Sequence, residues 1–302
     1  MRIEQLEYIQ AVRRLGSLRR AAEELHLSQP ALSETVRNLE RELGVDLLER
    51  RRSGATISDA GRELLPHIDS VLEAVDRLRQ AAGDQHHTSR VVRVGTVNAA
   101  TVPLVIPTVR AFRESHPATQ VEVVGVQQAD IHRSILEGSL DLGLVNYLRG
   151  DDVPPEFETV ELLRGRAVAV MRPGSPLAAL PAVEVDALLS EPLIMMRSGY
   201  VMHRLVHRLL DGRTPDAPYS TDGAEMGKLL VAEGLGVTVL PEYSVAGDPL
   251  LRAGMITFRP LATPSAEVLL VIQSQRSNPV PRAARDLQRL FVERARTLSD
   301  LG

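Results

Sequence analysis

Gln29, Ser33 and Arg37 stand four apart in a stretch that opens at Ser28 and has Pro30 as its third residue. On a helix that spacing puts them on one face. A glutamine amide there can pair with an adenine edge in a DNA major groove, and a serine hydroxyl one turn on can reach a base or a phosphate. Arg37 suits a phosphate oxygen. Pro30 can touch a thymine methyl, though starting the helix explains it equally well. Capping and solvation are the plainer readings of Gln29 and Ser33, and an ion pair with Glu34 or Glu40 is the plainer reading of Arg37. Arg50, Arg51 and Arg52 form a second cluster, whose planar forks suit phosphate and minor-groove contacts unless the run is simply solvated.

These side chains need two helices joined by a tight turn. Leu18, Ala21, Ala22 and Leu25 form one apolar stripe, with alanines small enough for close helix approach. His26-Leu27 breaks the pattern. Ser28 is a good N-cap, and Pro30 falls in the first turn, where its missing N–H costs nothing. Leu32, Val36 and Leu39 carry a second stripe. Upstream, Leu6, Ile9 and Val12 give a first helix its buried face, Gly16 ends it and Ser17 can cap the next. Downstream, Leu47-Leu48, the arginine run, Gly54 and Thr56-Ile57-Ser58 suggest two short strands around a basic turn. The sum is a mostly α winged helix-turn-helix over residues 1–58. Its candidate DNA contacts are Ser17, Arg20, Ser28, Gln29, Pro30, Ser33, Arg37, Arg50 and Arg52.

A long helix is expected from about Asp59 to Ala82. Leu64, Ile68, Val71, Val75 and Leu78 recur four, three, four and three apart, a heptad seam that buries best against a partner helix. Packing on its own domain is the alternative. Pro66 interrupts the pattern near the start. The polar run Gly83-Asp84-Gln85-His86-His87-Thr88-Ser89 follows, so residues 59–90 read as a dimerisation helix and hinge.

From Val91 the pattern alternates. Strands are expected at Val91–Val94, Val121–Val126, Leu142–Val145, Ala167–Met171, Leu193–Met196, Val237–Leu240 and Val268–Ile272, with helices between them and a last helix at Pro281–Leu298. This is α/β texture. Ligands of open α/β sheets sit beyond the carboxyl ends of strands. Those positions hold Asn98, Ala99, Ala100 and Thr101, then Gln127 and Gln128, then Asn146, and later Arg197, Ser198 and Thr221 with Asp222. Backbone N–H groups there favour a polar or anionic group, and Arg197 could add a cation for a carboxylate. Loop capping, and pairing of Arg197 with an acidic neighbour, are the simpler alternatives.

Other chemistry is thinly represented. His203 and His207 are one helical turn apart, but no third ligand stands nearby, so an ordinary helix surface is expected and no metal. Met195, Met196, Met202 and Met226 read as core. No nucleophile elbow, P-loop or zinc-protease helix is present, so no catalytic residue is assigned, no enzyme is expected and no cofactor is invoked. The chain has no cysteine, which removes disulfides, thiolate metal sites and thiol redox sensing. Its formal charge of −4 argues against a generally basic coat. Lys228 is the sole lysine among 35 basic residues. No stretch is long and apolar enough to span a bilayer, and a soluble cytoplasmic protein with no membrane partner is the expectation. At 302 residues, two domains or more are expected.

The chain resembles the LysR-type transcriptional regulators. The resemblance is carried by Gly16-Ser17-Leu18, Arg20-Ala21-Ala22, Leu25-His26-Leu27-Ser28-Gln29-Pro30-Ala31-Leu32-Ser33, Leu39-Glu40, Glu42-Leu43-Gly44 and Leu47-Leu48-Glu49-Arg50. Thr56-Ile57-Ser58-Asp59-Ala60-Gly61, Gly138-Ser139-Leu140-Asp141-Leu142-Gly143 and Gly234-Leu235-Gly236-Val237-Thr238-Val239-Leu240-Pro241 add weaker matches. Glu34 departs from the basic or neutral residue often found there. A carboxylate at that place can accept from a cytosine amine.

The resemblance implies an effector domain over 91–302, like a periplasmic binding protein with two α/β subdomains. Subdomain I would be 91–162 and 264–302, and subdomain II 163–263, with crossings near Leu162 and Thr263. The strand-end residues would then line an effector cleft. The implied function is ligand-responsive control of transcription. Implied partners are double-stranded DNA, a small-molecule effector, a second copy or a tetramer through the linker helix, and RNA polymerase; the implied location is the nucleoid when DNA-bound. The alternative is a small-molecule binding protein or ligand-dependent enzyme, with the N-terminal part serving only assembly.

Overall fold

Leu6, Ile9 and Val12 lie on one face of α1 (Ile3–Leu15) and are buried, as their spacing requires. The computed structural model describes residues 1–51, 54–83, 91–262, 267–278 and 280–299. They fall into two units, Met1–His87 and Thr88–Gly302.

In the first unit, Gly16 takes a left-handed φ of 61° and closes α1. Ser17 then caps α2 (Leu18–Glu24) through the Arg20 N–H at 3.4 Å, and Ser28 caps α3 (Gln29–Leu43) through the Ala31 N–H at 3.3 Å. His26, at φ 55°, turns the chain between the two helices. Leu18, Ala21, Ala22, Leu32, Val36 and Leu39 pack with the α1 face into one core. Strands β1 (Leu48–Arg51) and β2 (Gly54–Ile57) pair antiparallel as the wing. Glu40 is buried and its carboxylate accepts the N–H groups of Leu47 and Leu48, both at 2.9 Å, which ties α3 to the wing.

Ser58 then caps α4 (Asp59–Gly83) through the Gly61 N–H at 2.8 Å. The expected seam on α4 needs correction. Ile68 is only 5% exposed, because with Leu65 and Leu72 it packs into the core of its own unit. Asp69 strengthens that contact, accepting from Gln10 at 2.8 Å and pairing with Arg13 at 3.1 Å. Val71 and Leu78 are exposed, and Leu64 and Val75 are half-buried.

A methyl group on Gly61 would lie 2.4 Å from the Leu47 carbonyl oxygen. Gly61→Ala should therefore push α4 away from the wing and lower the stability of this unit by roughly 1–3 kcal/mol. Chemical denaturation of the full chain reads it; an unchanged first transition would contradict the close contact.

The second unit is built on one mixed sheet. Strands β3 (Val91–Thr96), β4 (Gln120–Gly125) and β5 (Leu142–Leu148) run parallel, with β3 in the middle. A π turn (Thr101–Val105) leads into α5 (Ile106–Ser115), and α6 (Gln128–Leu136) follows β4. The long strand β6 (Phe157–Met171) connects two halves. Its residues up to Arg166 pair with β11 (Glu267–Gln275), which also pairs with β5. From Ala167 it pairs instead with β9 (Thr238–Pro241) and β10 (Thr257–Pro260).

The first crossing is thus at Arg166–Ala167, four residues beyond the expected Leu162. The strand curves from one half to the other without a break in pairing. The second crossing falls between β10 and β11, and the expected position at Thr263 lies outside the described residues. Lobe I is accordingly 91–166 with 267–299, and lobe II is 167–262.

Lobe II adds α7 (Val185–Leu189), β7 (Ile194–Met196), α8 (Val201–Leu210), β8 (Tyr219–Thr221), α9 (Ala224–Ala232) and α10 (Pro249–Arg252), with β7 and β8 parallel. A single turn at Glu242–Ser244 follows β9. Helix α11 (Arg282–Ser299) buries Ala284, Leu287, Phe291 and Ala295 and packs on α5 and β6, so β11 and α11 both belong to lobe I.

Candidate DNA interface and effector cleft

Helix α3 turns Leu32, Val36 and Leu39 inward, which leaves Gln29, Pro30, Glu34 and Arg37 exposed and Ser33 half-buried. The cap is made by Ser28, so the Gln29 amide is not used for capping. Ser17 is half-buried as a cap, and the exposed Arg20 guanidinium donates to the Leu15 carbonyl. Arg50 and Arg51 belong to β1; Arg52 lies outside the described residues. The Glu34 carboxylate shares the outward face with Arg37. A helix with one polar, mixed-charge face beside a two-stranded wing has the form needed to enter a major groove.

In the second unit the two lobes meet around a cavity of about 20 Å³, room for roughly one water. From lobe I it is lined by Val97, Ala99, Gln128 and Asn146. From lobe II come Met196, Gly199, Tyr200, Gly223, Ala224 and Ser244 among others. No lining side chain carries a formal charge. Gln128, Val201 and Ala224 are lining residues and also the first residues of α6, α8 and α9. Three helix N-termini, with unshared backbone N–H groups, therefore open on one space. Two hydroxyls, Thr101 Oγ1 and Thr221 Oγ1, are buried without a partner.

Several expected cleft residues hold the lobes together, and of those with such contacts Asn146 also lines the cavity. The Gln127 Nε2 donates to the Ser198 carbonyl at 3.1 Å, and Gly199 suits the next position because its φ of 98° strains any residue with a Cβ. Asn98, at φ 55°, packs its side chain against Gly125 and Gly223. Ala100, at φ 52°, donates its N–H to Ser244 Oγ at 3.4 Å. Left-handed backbone at an alanine is strained and persists only where its surroundings enforce it. Asn146 accepts from the Tyr243 hydroxyl at 2.9 Å, and Arg204 pairs with Asp151.

Arg197 does not point a lone cation at a ligand. Its guanidinium pairs with Asp222 at 3.0 Å, and both side chains are exposed. That is the simpler of the two arrangements its sequence context allowed.

Tyr200, Gly199, Gly223, Tyr243 and Ser244 were not legible as cleft residues. Only the Thr238–Pro241 strand end could have pointed to Tyr243 and Ser244. Met196 lines the cavity, while Met226 is exposed on α9 and is not core, because Gly227 and Lys228 take the inward positions. The His203 and His207 rings meet with Nε2 atoms 3.1 Å apart. Among the described residues no three His, Asp or Glu side chains gather as for a metal ion. Nor is any helix there long and apolar enough to cross a membrane.

Residues 3–62 match the bacterial regulatory helix-turn-helix protein model of the lysR family, and residues 85–296 match the LysR substrate binding domain. The chain is 28% identical over 300 residues to the Hca operon transcriptional activator HcaR of Escherichia coli (strain K12), covering 97% of this chain and 98% of that one. It is 28% identical over 251 residues to the DNA-binding transcriptional dual regulator OxyR of the same organism, covering 81% and 80%. Among solved structures, full-length CbnR complexed with its target DNA superposes with a TM-score of 0.72 at 20% identity, over 98% of this chain and 99% of that one. That structural likeness speaks to the fold. The two family matches together span both units, and the chain belongs to the LysR family of DNA-binding, ligand-responsive transcriptional regulators.

Proposed function

We propose that α3 reads an operator through Gln29 and Ser33, that the wing arginines hold phosphates, and that a small effector entering between the lobes changes how the protein engages DNA. The observation that carries this reading is the outward polar face of α3, capped by Ser28 so that Gln29 stays available. Gel-shift titration with genomic fragments at two salt concentrations tests it. Selection of one fragment class, at an affinity that falls steeply with salt, is the expected result. Equal affinity for all fragments would favour a protein whose N-terminal unit serves only assembly.

The effector is a small polar molecule rich in hydrogen-bond acceptors, such as a carboxylate. Support comes from the three helix N-termini that open on an uncharged cavity. A ligand larger than a water requires the lobes to part. Because Arg197 is paired and exposed, Arg197→Ala should leave effector affinity within about twofold, as expected for a solvated ion pair. Calorimetry with a panel of small acids and their amides measures this. A loss of tenfold or more would restore Arg197 as a direct ligand.

Assembly runs through the free face of α4. Leu78 is 71% exposed, and with Val71 and Val75 it keeps a heptad spacing on α4, whereas the half-buried Leu64 packs against the core of its own unit. Val71→Glu with Leu78→Glu should lower the sedimentation coefficient and leave the melting temperature of each unit unchanged. An unaltered assembly would overturn the seam. RNA polymerase as a partner, and a cytoplasmic, nucleoid-associated location, go with this reading as a regulator.

A further inference from the structure

Lys228 sits on α9 and is wholly buried. Its ammonium has three donors, and three acceptors meet them. Asp248 Oδ2 lies at 2.5 Å, Glu225 Oε2 at 3.0 Å and the Ser244 carbonyl at 3.0 Å. Asp248 is itself buried and caps α10 through the Leu250 N–H at 2.8 Å. Apolar residues of similar volume often serve stability as well as a buried ion pair does. Stability alone therefore does not account for this arrangement.

What the arrangement fixes is the turn Glu242–Ser244. Two consecutive residues of that turn reach lobe I: Tyr243 donates to Asn146 at 2.9 Å, and Ser244 Oγ receives the Ala100 N–H at 3.4 Å. Tyr243 is buried, and burial raises the pKa of its phenol well above the ordinary tyrosine value, so it stays a donor. Ser244 also lines the cavity. One ammonium thus stands directly behind one of the places where lobe II bridges to lobe I, beside the Gln127–Ser198 and Arg204–Asp151 contacts.

We propose that Lys228 is a positioning residue for the effector cleft: its buried ammonium holds the Tyr243–Ser244 turn where it can bridge to Asn146 and Ala100, and so sets how readily the lobes close. The inference rests on reading the space between the lobes as the effector site, but its test needs no effector. Failure of the test and failure of that reading are therefore separable.

The chain has no cysteine, so Glu137→Cys in lobe I and Arg208→Cys in lobe II accept a single pair of spin labels. Labelled full-length protein is diluted with unlabelled protein so that only distances within one chain are read. Lys228→Met with Asp248→Asn removes both buried charges and keeps a cap on α10. In this variant the ratio of closed to open lobes should fall about fivefold, the worth of one hydrogen bond, while thermal unfolding stays cooperative. Lys228→Arg, which keeps donors and charge, should recover most of the closed population. Tyr243→Phe with Ser244→Ala leaves the ion pair intact and cuts the bridges, and it should show the same shift. Unchanged distances in either folded double variant would overturn the proposal.

Discussion

Gln29→Ala and Ser33→Ala each weaken binding to a selected operator by roughly 1–3 kcal/mol, about 5- to 150-fold, where a base contact is lost. Neither substitution should unfold the head. Gln29 is exposed and leaves the cap to Ser28, and α3 is anchored by Leu32, Val36 and Leu39 on its other side. Random-sequence DNA should be affected less, since its binding rests on phosphate contacts that these residues do not dominate. Titrations of operator and scrambled DNA at one fixed salt concentration separate the two. An equal loss on both would contradict base readout, and would turn attention to Glu34 and Arg37 on the same face.

The head was legible because its determinants are local. Gly16, Ser17 and Ser28 announce helix ends through conformational freedom and hydrogen-bonding capacity, and those properties act within a few residues. The α4 seam shows the limit of such reasoning. A heptad count identifies an apolar repeat, but it does not say which side the chain's own core will claim. Leu65 and Leu72 flank Ile68 at three and four residues and draw it inward, leaving Val71 and Leu78 outside. The Glu40 carboxylate is similar. Nothing in its local sequence points to the Leu47 and Leu48 amides, seven and eight residues on, whose N–H groups it accepts.

The effector half was legible as alternation, and its connections were not. Strand β6 changes pairing partners at Arg166–Ala167 inside one continuous strand, and Gly165 beside that place does not tell a change of partner from a close approach, here to the Tyr243 ring. The cleft depended on the same non-local information. Asn98 and Gln127 fall just past strand ends, as the rule for open sheets anticipates, whereas Asn146 lies inside β5, which runs on to Leu148 instead of ending at Val145; their partners Gly223, Ser198 and Tyr243 lie 71 or more residues away. Only closure of the chain in space tells a lining group from a bridging one.

Lys228→Met should be the most damaging of the substitutions considered, costing roughly 3–5 kcal/mol. Methionine fills a similar volume, so the loss does not come from a cavity. It comes from the Asp248 carboxylate, left buried without its counter-charge, and from the Ser244 carbonyl, left without its donor. Glu225 is better exposed and can be rehydrated, so it adds little. In a unit of this size each kcal/mol moves the midpoint by about 2–4 °C, which puts the expected fall near 10 °C. Added salt should recover little of it, because ions screen buried charges poorly. Asp248→Asn in the same chain should restore most of the stability, since it removes the stranded charge while keeping an oxygen for the Leu250 N–H. Thermal and urea unfolding of the single and double variants decide the matter. A single variant within about 1 kcal/mol of the parent would mean that water reaches Asp248, and that the ion pair is not held in the low-dielectric interior its burial indicates.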